Sequence, residues 1–388
     1  MTHADTSSTP LNVTVDQAET LPQRLRRLRR VRESAMPGSG PGALLRYWRA
    51  WRPAAARLNL ALQGGGAHGA FTWGVLDALL ADERTAFEGL SGSSAGAINA
   101  VVMADGWAKG GREGARQALD RFWNELGHQG PHNGIVAQGE GDNTSLSPSS
   151  RLLAIWAGHF SPSQLNPLDL NPLRDLLKRQ IDFPRLRASS PFKLFVGTTQ
   201  VHTGKLRIFR EHEIDIDVLM ASACLPKIHH PVVIDGQPYW DGGYSANPAV
   251  FPLFYDCESA DVLLVLLSPL LREGTPQTVD EIDARIVELA FSANFMREMR
   301  MFAQAIDQSR PALLNLGRLE RRLQKLRFHM VDTGGVASLH RTDTKLLAHA
   351  PFLDMLKGQG RERAQAWLDT HFVGVGQRST INLRQCFG

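Results

Sequence analysis

Ser94 stands in the stretch Gly92-Ser93-Ser94-Ala95-Gly96, which has the pattern G-x-S-x-G. A short apolar run precedes this stretch, and a helical pattern follows it. Small residues on both sides of the serine permit a sharp strand-to-helix turn, which exposes the hydroxyl at the end of the strand and near the positive end of the helix. The pattern is typical of a serine nucleophile in acyl transfer, and the simpler alternative is a glycine-rich turn with an idle serine.

A second glycine-rich stretch, Gly64-Gly65-Gly66-Ala67-His68-Gly69, fits two different templates. Its first, third and sixth residues match the dinucleotide fingerprint G-x-G-x-x-G, for which Glu83 or Glu88 would supply the ribose-binding carboxylate. Its three consecutive glycines also suit an oxyanion-binding loop, because they direct backbone N–H groups at one spot. Both templates use exposed amides at a helix N-terminus, so this stretch alone leaves the two open.

A serine nucleophile needs a base, and Asp241 in Tyr239-Trp240-Asp241-Gly242-Gly243 is the sharpest candidate. It ends the second strand of a predicted hairpin whose turn is Asp235-Gly236. The two glycines after it let the backbone pass closely and leave the carboxylate free to point across a pocket, although an ordinary Asp-Gly-Gly turn is the alternative. Several histidines downstream of Ser94 are further candidates for the base, among them His202, His229, His230, His329, His340, His349 and His371.

Three motifs in this order, Gly64-Gly65-Gly66-x-x-Gly69, Gly92-x-Ser94-x-Gly96 and Asp241-Gly242-Gly243, resemble the patatin-like phospholipase family of the bacterial type. The resemblance covers roughly residues 58–268, and the stretch Ala221–Pro226 is similar to the family's segment before the aspartate. It implies a three-layer α/β/α fold with a mainly parallel central sheet. It also implies a Ser–Asp dyad that hydrolyses lipid acyl esters and uses neither a cofactor nor a metal.

The same resemblance implies a role for individual residues. Ser94 would be the nucleophile, Asp241 the base, and Gly64, Gly65 and Gly66 the oxyanion hole. The residues that complete the motifs are His68, Gly69, Gly92, Gly96, Gly242 and Gly243.

His68 is a departure from the family, which usually has Arg or Lys at this position. A permanent cation is thus replaced by a group that can be neutral at pH 7. We expect this exchange to affect the strength and the pH dependence of oxyanion stabilisation, while the backbone N–H donors remain.

From residue 58 onward, apolar segments of strand length alternate with helical patterns, which indicates an α/β domain with a mainly parallel sheet. The predicted strands are Leu58–Leu62, Phe87–Leu90, Lys193–Thr198 and Asp261–Leu267. Helices are predicted at Ala67–Leu80, at Ala95–Met103, from a cap at Asn171-Pro172, and over most of residues 278–328 and 351–371. The predicted division is a basic, partly flexible arm at 1–57, a catalytic domain at 58–268, and a mainly helical C-terminal extension at 269–388 packed on that domain.

The chain has 388 residues and a net charge of +4, which does not favour nucleic-acid binding. The charge is uneven, because six arginines lie within Arg24–Arg32. Leu21, Leu25, Leu28 and Val31 fall at helical spacing among them. We therefore expect the arm to form a short amphipathic helix that contacts anionic membranes, with a solvated flexible arm as the alternative.

The three cysteines are widely spaced, odd in number and without metal-ligand spacing, which favours the reducing cytoplasm. The first twenty residues are polar and lack the apolar core of a secretory signal. Apolar runs such as Val262–Leu267 are too short to span a bilayer. We expect a cytoplasmic protein that is soluble or peripheral to a membrane, and the sequence gives no expectation for its oligomeric state.

Three hypotheses for function follow from these motifs. The leading one is a serine hydrolase that cleaves carboxylic esters of phospholipids or other acyl lipids through an acyl-enzyme. The second is a catalytically weak lipid-binding protein on the same fold, which His68 and the long flanking regions motivate. The third is a nucleotide-binding oxidoreductase that uses Gly64–Gly69, and it leaves Gly92–Gly96 and Asp241–Gly243 without a role.

Overall fold

Strands and helices alternate along the chain in the computed structural model, which describes residues 56–129, 136–157, 159–272, 274–309 and 317–388. The first strand begins at Ala56. The predicted arm lies outside these ranges except for its last two residues, so the membrane contact through Arg24–Arg32 stays a prediction. The predicted division into arm, catalytic domain and extension also stays a prediction.

A central sheet of eight strands organises the described residues. Its strands are β1 (Ala56–Leu62), β2 (Thr85–Gly92), β5 (Lys193–Gln200), β6 (Leu206–Arg210), β7 (Val232–Ile234), β8 (Gln237–Asp241), β9 (Asp261–Val265) and β10 (Arg327–Val331). The order is β10-β9-β1-β2-β5-β8-β7, with β6 paired to β5. The five strands from β10 to β5 are parallel, whereas β6, β7 and β8 pair in antiparallel fashion. Two short strands, β3 (Ala137–Gln138) and β4 (Ser145–Leu146), form a separate antiparallel ladder.

Twelve α-helices are present in the described ranges. In chain order they are α1 (Gly69–Ala81), α2 (Ala95–Gln129), α3 (Pro148–Ala157), α4 (Pro162–Leu165), α5 (Pro172–Gln180), α6 (Phe183–Ser189), α7 (Ile216–Ser222), α8 (Phe251–Asp256), α9 (Val279–Gln308), α10 (Arg318–Lys325), α11 (Ala350–Thr370) and α12 (Leu383–Phe387). Helix α2 continues well beyond the predicted Met103 and changes direction at Gly110 and Gly111, whose backbone angles are not helical.

Alternate residues of β9 show that the sheet is covered on both faces. Leu263 and Val265 belong to one buried apolar cluster, which also contains side chains from α1, α2 and α11. Val262 and Leu264 belong to a second cluster, with α9 side chains such as Phe295. A strand buried on both faces is expected to be apolar along most of its length, as β9 is from Val262 to Val265. The three-layer α/β/α fold with a mainly parallel sheet is therefore confirmed.

Strand register brings the motif-bearing loops together at the carboxyl ends of the central strands. Leu62 of β1 lies opposite Gly92 of β2, so the loops that follow these parallel strands begin side by side. Asp241, the last residue of β8, pairs with Thr198 near the end of β5. The glycine loop, the G-x-S-x-G turn and the aspartate thus meet beyond the carboxyl ends of the central strands, where open α/β sheets place their sites.

The chain after residue 268 is mainly helical, as predicted, and it also supplies the edge strand β10. Neither β10 nor β6 was predicted, because both sequences mix charged and apolar residues. Edge strands tolerate this mixture, since one side of each has no strand to cover it. The predicted turn at Asp235-Gly236 is confirmed, with φ of 51° and 72°, as is the Asn171 cap, whose side chain accepts from Arg174 N–H.

None of the helices in the described ranges combines the length and the apolar character needed to cross a membrane.

Candidate active site

Ser94 occupies the tight turn between β2 and α2 with a φ of +54°. Left-handed backbone is strained for a serine, and such strain concentrates at functional sites. The Ser94 N–H donates to Ser222 Oγ at 3.0 Å, and Gly96 N–H donates to Ser93 O at 2.9 Å. A Cβ at Gly92 would lie 2.5 Å from the carbonyl carbon of Gly96, so this turn closes only with glycine. The turn leaves Ser94 partly exposed while its neighbours on both sides are buried.

Asp241 lies at the end of β8 with its side chain fully buried. Its N–H donates to Cys224 O at 2.8 Å, and its carbonyl accepts from Thr199 Oγ1 at 2.8 Å. The carboxylate oxygen Oδ1 accepts from Gly243 N–H at 2.7 Å. The other oxygen, Oδ2, is buried without a hydrogen-bond partner among the described residues. One oxygen is thus fixed and the other is left free to take a proton.

The electrostatics of Asp241 are dominated by its burial, which raises the pKa of the carboxyl from 3.8 to about 7. The N–H of Gly243 and the hydroxyl of Ser94 act in the opposite direction and lower this pKa. Ser94 therefore lies close enough to influence the carboxylate, yet Oδ2 has no partner with full hydrogen-bond geometry. Loose contacts of this kind are common between catalytic groups before substrate binds.

The predicted histidine bases make no hydrogen bond to Ser94 or Asp241 within the described residues. His230 contacts Asn166 O at 3.0 Å, and His329 contacts Asp261 and Thr380. Burial lowers the pKa of His229. Of the candidate bases, Asp241 is the one for which the described residues show an influence of Ser94.

Gly64 has a different environment from the one predicted for an oxyanion donor. Its N–H donates to Asn247 Oδ1 at 2.7 Å, and Asn247 Nδ2 donates back to Gly64 O at 3.3 Å. The assignment of Gly64 as a donor is therefore corrected, because its amide already has an acceptor. A Cβ at this position would lie 2.9 Å from Ser94 Cβ, so Gly64 serves to let the loop approach the serine.

Gly65 and Gly66 retain free N–H groups, which have no acceptor among the described residues. Gly65 is partly exposed and Gly66 is exposed, with a φ of +59° that favours glycine. The short helical turn Gly66–His68 then leads into α1, whose first residue Gly69 packs against Ala95 of the serine turn. Two amides without a protein acceptor thus lie in an exposed loop at a helix N-terminus, directly after the Gly64 that packs on Ser94.

His68 is buried beneath the glycine loop as a neutral imidazole. Burial, aided by the charge of Lys345, holds the pKa of His68 well below 6.5. Its Nε2 hydrogen-bonds Thr344 Oγ1 at 2.7 Å. A Cβ on Gly66 would lie 3.2 Å from the Lys345 carbonyl carbon, so this C-terminal segment packs directly on the loop. His68 therefore links the loop to residues far along the chain.

Gly242 and Gly243 lie where the predicted motif places them, directly after Asp241. Gly243 faces the ring of Phe291 on α9, which leaves no room for a larger side chain. Four residues of this site were not predicted: Asn247, Ser222, Thr344 and Lys345. No spacing signal marks them, because they reach the site from three separate parts of the chain, and Thr344 and Lys345 share one short helical turn.

The dinucleotide alternative loses one of its two candidate carboxylates, Glu88, in the structure. Glu88 accepts from the N–H groups of Glu258 and Ser259 and pairs with Lys193 at 3.1 Å. This carboxylate is therefore engaged away from the glycine loop. Among the described residues there is also no cluster of three His, Cys, Asp or Glu side chains suited to a metal ion.

Comparison with known proteins places the same residues in one family. The family model described as "Patatin-like phospholipase" matches residues 60–254, just over half of the chain. No curated protein matches the chain. Among solved structures, VipD from Legionella pneumophila is similar, with 18% sequence identity and a TM-score of 0.36 over 82% of this chain and 67% of that one. The family match supports hydrolysis of acyl lipids as the general activity. The matched residues include the serine turn, the glycine loop and the buried aspartate, and the chain belongs to the patatin-like phospholipase family.

Proposed function

We propose that this protein is a serine hydrolase that cleaves carboxylic esters of acyl lipids with Ser94 as nucleophile and Asp241 as base. The observation that carries the proposal is the pairing of a partly exposed, backbone-strained Ser94 with a buried carboxylate whose pKa is about 7. A carboxyl group with a pKa near the operating pH is a far better proton acceptor than an ordinary aspartate.

In the first step, Ser94 Oγ attacks the ester carbonyl carbon while its proton passes to Asp241 Oδ2. The carbonyl oxygen gains the negative charge and is bound by the N–H groups of Gly65 and Gly66. When the C–O bond to the alcohol breaks, Asp241 returns the proton to the leaving oxygen. The acyl group remains esterified to Ser94.

In the second step, water attacks the acyl carbon and Asp241 takes the proton of that water. The same two amides bind the oxyanion again. Collapse of the intermediate breaks the bond to Ser94 Oγ, which recovers its proton from Asp241, and the fatty acid leaves. Each group ends the cycle in its starting state.

A catalytically weak lipid-binding protein on the same fold is the second candidate. The observation that favours it is the loose contact between Ser94 and Oδ2, together with the use of Gly64 N–H by Asn247. This candidate keeps an acyl-lipid ligand but predicts no turnover. We retain the cytoplasm or a membrane periphery as the proposed location in both cases.

The decisive experiment is an ester panel on the purified protein, which contains a phospholipid, a triglyceride and a soluble short-chain ester. Ser94→Ala should lower turnover of the cleaved esters at least about a thousandfold, because the nucleophile is lost. Ser189→Ala, at an exposed serine on α6, is the matched control and should keep full activity. Equal turnover by a folded Ser94→Ala protein would contradict the proposal. Absence of turnover by the unchanged protein on every ester would favour the lipid-binding candidate.

A further inference from the structure

Helix α9 carries an exposed apolar stripe on the side that faces away from the protein. The stripe consists of Val279, Ile282, Ile286, Leu289 and Ala293, all exposed and spaced by three or four residues. Residues with this spacing lie on one face of a helix. The opposite face of α9 buries Phe295, Met299 and Phe302 in the core, so the stripe is not needed to hold the helix in place.

Helix α9, which carries the stripe, lies beside Asp241, because it packs directly on the turn that follows this residue. The ring of Phe291 lies against Gly243 and 4.5 Å from the ring of Tyr244. Asn294 Nδ2 donates to Tyr244 O at 2.8 Å. The same helix therefore covers the aspartate with its inner side and presents apolar side chains on its outer side.

A second exposed apolar group borders the glycine loop. It consists of Leu152, Leu153 and Trp156 on α3. Arg151 at the start of this group lies 3.4 Å from Asp343, which is two residues before the Lys345 that packs on Gly66.

A third exposed apolar group lies on the other side of the hairpin that ends in Asp241. It consists of Leu165, Leu168 and Leu170, and Asn166 O between them hydrogen-bonds His230. The α9 stripe, the α3 group and this loop group are together called the apolar rim. Each part of the rim borders a different wall of the site. Exposed apolar groups on three elements around one site are typical of an interaction surface.

Charge distribution distinguishes the occupants that could cover the rim. Arg297 and Arg300 continue the α9 stripe toward the helix C-terminus, and both are exposed. Neither makes an ion pair or hydrogen bond with a described residue. The exposed acids of α9, Asp280, Glu281 and Asp283, lie at its amino end, so the two unpaired cations set the charge at the other end of the stripe. An apolar helix face that ends in unpaired cations is suited to a lipid interface with anionic headgroups. A second copy of the protein on the rim would, by contrast, stand between Ser94 and its substrate.

We propose that the apolar rim docks on the surface of an anionic lipid aggregate and so brings Ser94 to esters in the lipid phase. This inference rests on the proposed hydrolase function, since it assigns a physical source to the substrate. Apolar rim residues enter the interface, Arg297 and Arg300 meet the headgroups, and the site between the three apolar groups faces the lipid.

The test uses sedimentation with vesicles of phosphatidylcholine and phosphatidylglycerol, with Ser94→Ala as the background so that no lipid is consumed. Ile282→Ser/Ile286→Ser should weaken vesicle binding at least about tenfold, because the variant lacks two apolar side chains that would be buried in the lipid. The matched control is Leu319→Ser/Val373→Ser, which lies near the amino ends of the strands. Its exposed fractions of 48% and 67% compare with 43% and 57% for the test pair. The control should bind as the background protein does.

A double variant on α3 shows whether a loss of vesicle binding comes only from local misfolding of α9. Leu152→Ser/Trp156→Ser should weaken binding in the same way, and Arg297→Ala/Arg300→Ala should weaken it on anionic but not on pure phosphatidylcholine vesicles. All variants with Ser94 intact should keep turnover of a soluble short-chain ester.

Equal vesicle binding by the rim and control variants would overturn the proposal. So would failure of the background protein to bind vesicles, or a dimer in solution that Ile282→Ser/Ile286→Ser converts to a monomer. The proposed hydrolase function fails separately, if Ser94→Ala retains turnover of the soluble ester whatever the vesicle result.

Discussion

Asp241 combines complete burial with a side chain that has to be charged to act as a base. No cation offsets the loss of water at Oδ2 in the described part of the chain, and the Ser94 hydroxyl offsets it only in part. Because the folded pKa of about 7 exceeds the ordinary 3.8, the folded state binds a proton that the unfolded state has lost. The stability cost of Asp241 therefore grows as pH rises from about 4 toward 7 and is then fully present.

Asp241→Asn should consequently stabilise the protein at pH 8 and have little effect on stability at pH 4. The difference between 3.8 and about 7 corresponds to roughly 4 kcal/mol as an upper limit, at about 1.4 kcal/mol per pKa unit. Asparagine fits the site, because its oxygen can still accept from Gly243 N–H. Thermal unfolding of both proteins at the two pH values measures the effect. If the variant were less stable at pH 8 than the unchanged protein, another group would have to stabilise the charged form of the buried carboxylate.

Residues that act through local backbone geometry could be predicted from the sequence. Ser94 and Gly92 were predictable because a tight strand-to-helix turn demands small residues at fixed spacing. Asn247 was not, because it reaches Gly64 across a sequence separation of 183 residues. The wrong assignment of Gly64 has the same origin, since three consecutive glycines look alike until a distant acceptor selects one of them.

At the scale of elements, the C-terminal segment around Thr344 supports the glycine loop. Thr344 Oγ1 contacts His68 Nε2 at 2.7 Å and also donates to Ser338 O at 3.1 Å. Both His68 and Thr344 are fully buried. An imidazole without this partner would keep two buried nitrogens unsatisfied, because Nδ1 already has no partner among the described residues.

Thr344→Val should therefore destabilise the protein by about 1–3 kcal/mol, the usual cost of an unsatisfied buried polar group. It should also lower kcat more than it changes KM, since the loop that carries Gly65 and Gly66 loses its support. Thr344→Ser keeps the hydroxyl and is the matched control, which should retain both stability and kcat. Chemical denaturation and steady-state kinetics on a soluble ester measure the two effects. Normal stability and turnover in Thr344→Val would contradict a supporting role for this contact.

Elements that are mostly apolar, such as β1 and β9, could be predicted because both of their faces are buried. The strand β10 could not, since its Arg327 and His329 side chains gain their partners only when Asp261 of β9 lies beside them. Its pairing is decided by tertiary contacts and not by its own sequence.

At the scale of the whole molecule, the buried carboxylates at the two ends of the strands have pKa values shifted in opposite directions. Asp261 lies at the amino end of β9. Burial alone would raise its pKa, but Arg327, His329 and the N–H of Gly376 bind the carboxylate and hold the pKa at about 2. Asp261 thus contributes stability above pH 4, which is lost as pH falls toward 2. Asp241, near the carboxyl ends of the strands, has the opposite effect, because its charged form costs stability as pH rises toward 7.

The central claim, that Asp241 activates Ser94, is tested most directly by the pH dependence of fluorophosphonate labelling. Mass spectrometry should place the adduct on Ser94, with a rate that rises as pH increases to about 7 and is constant above it, because only ionised Asp241 accepts the proton. Asp241→Asn should lose labelling across this range, whereas His229→Gln should keep the profile of the unchanged protein. An adduct on another residue, or equal labelling rates in Asp241→Asn and the unchanged protein, would contradict the account.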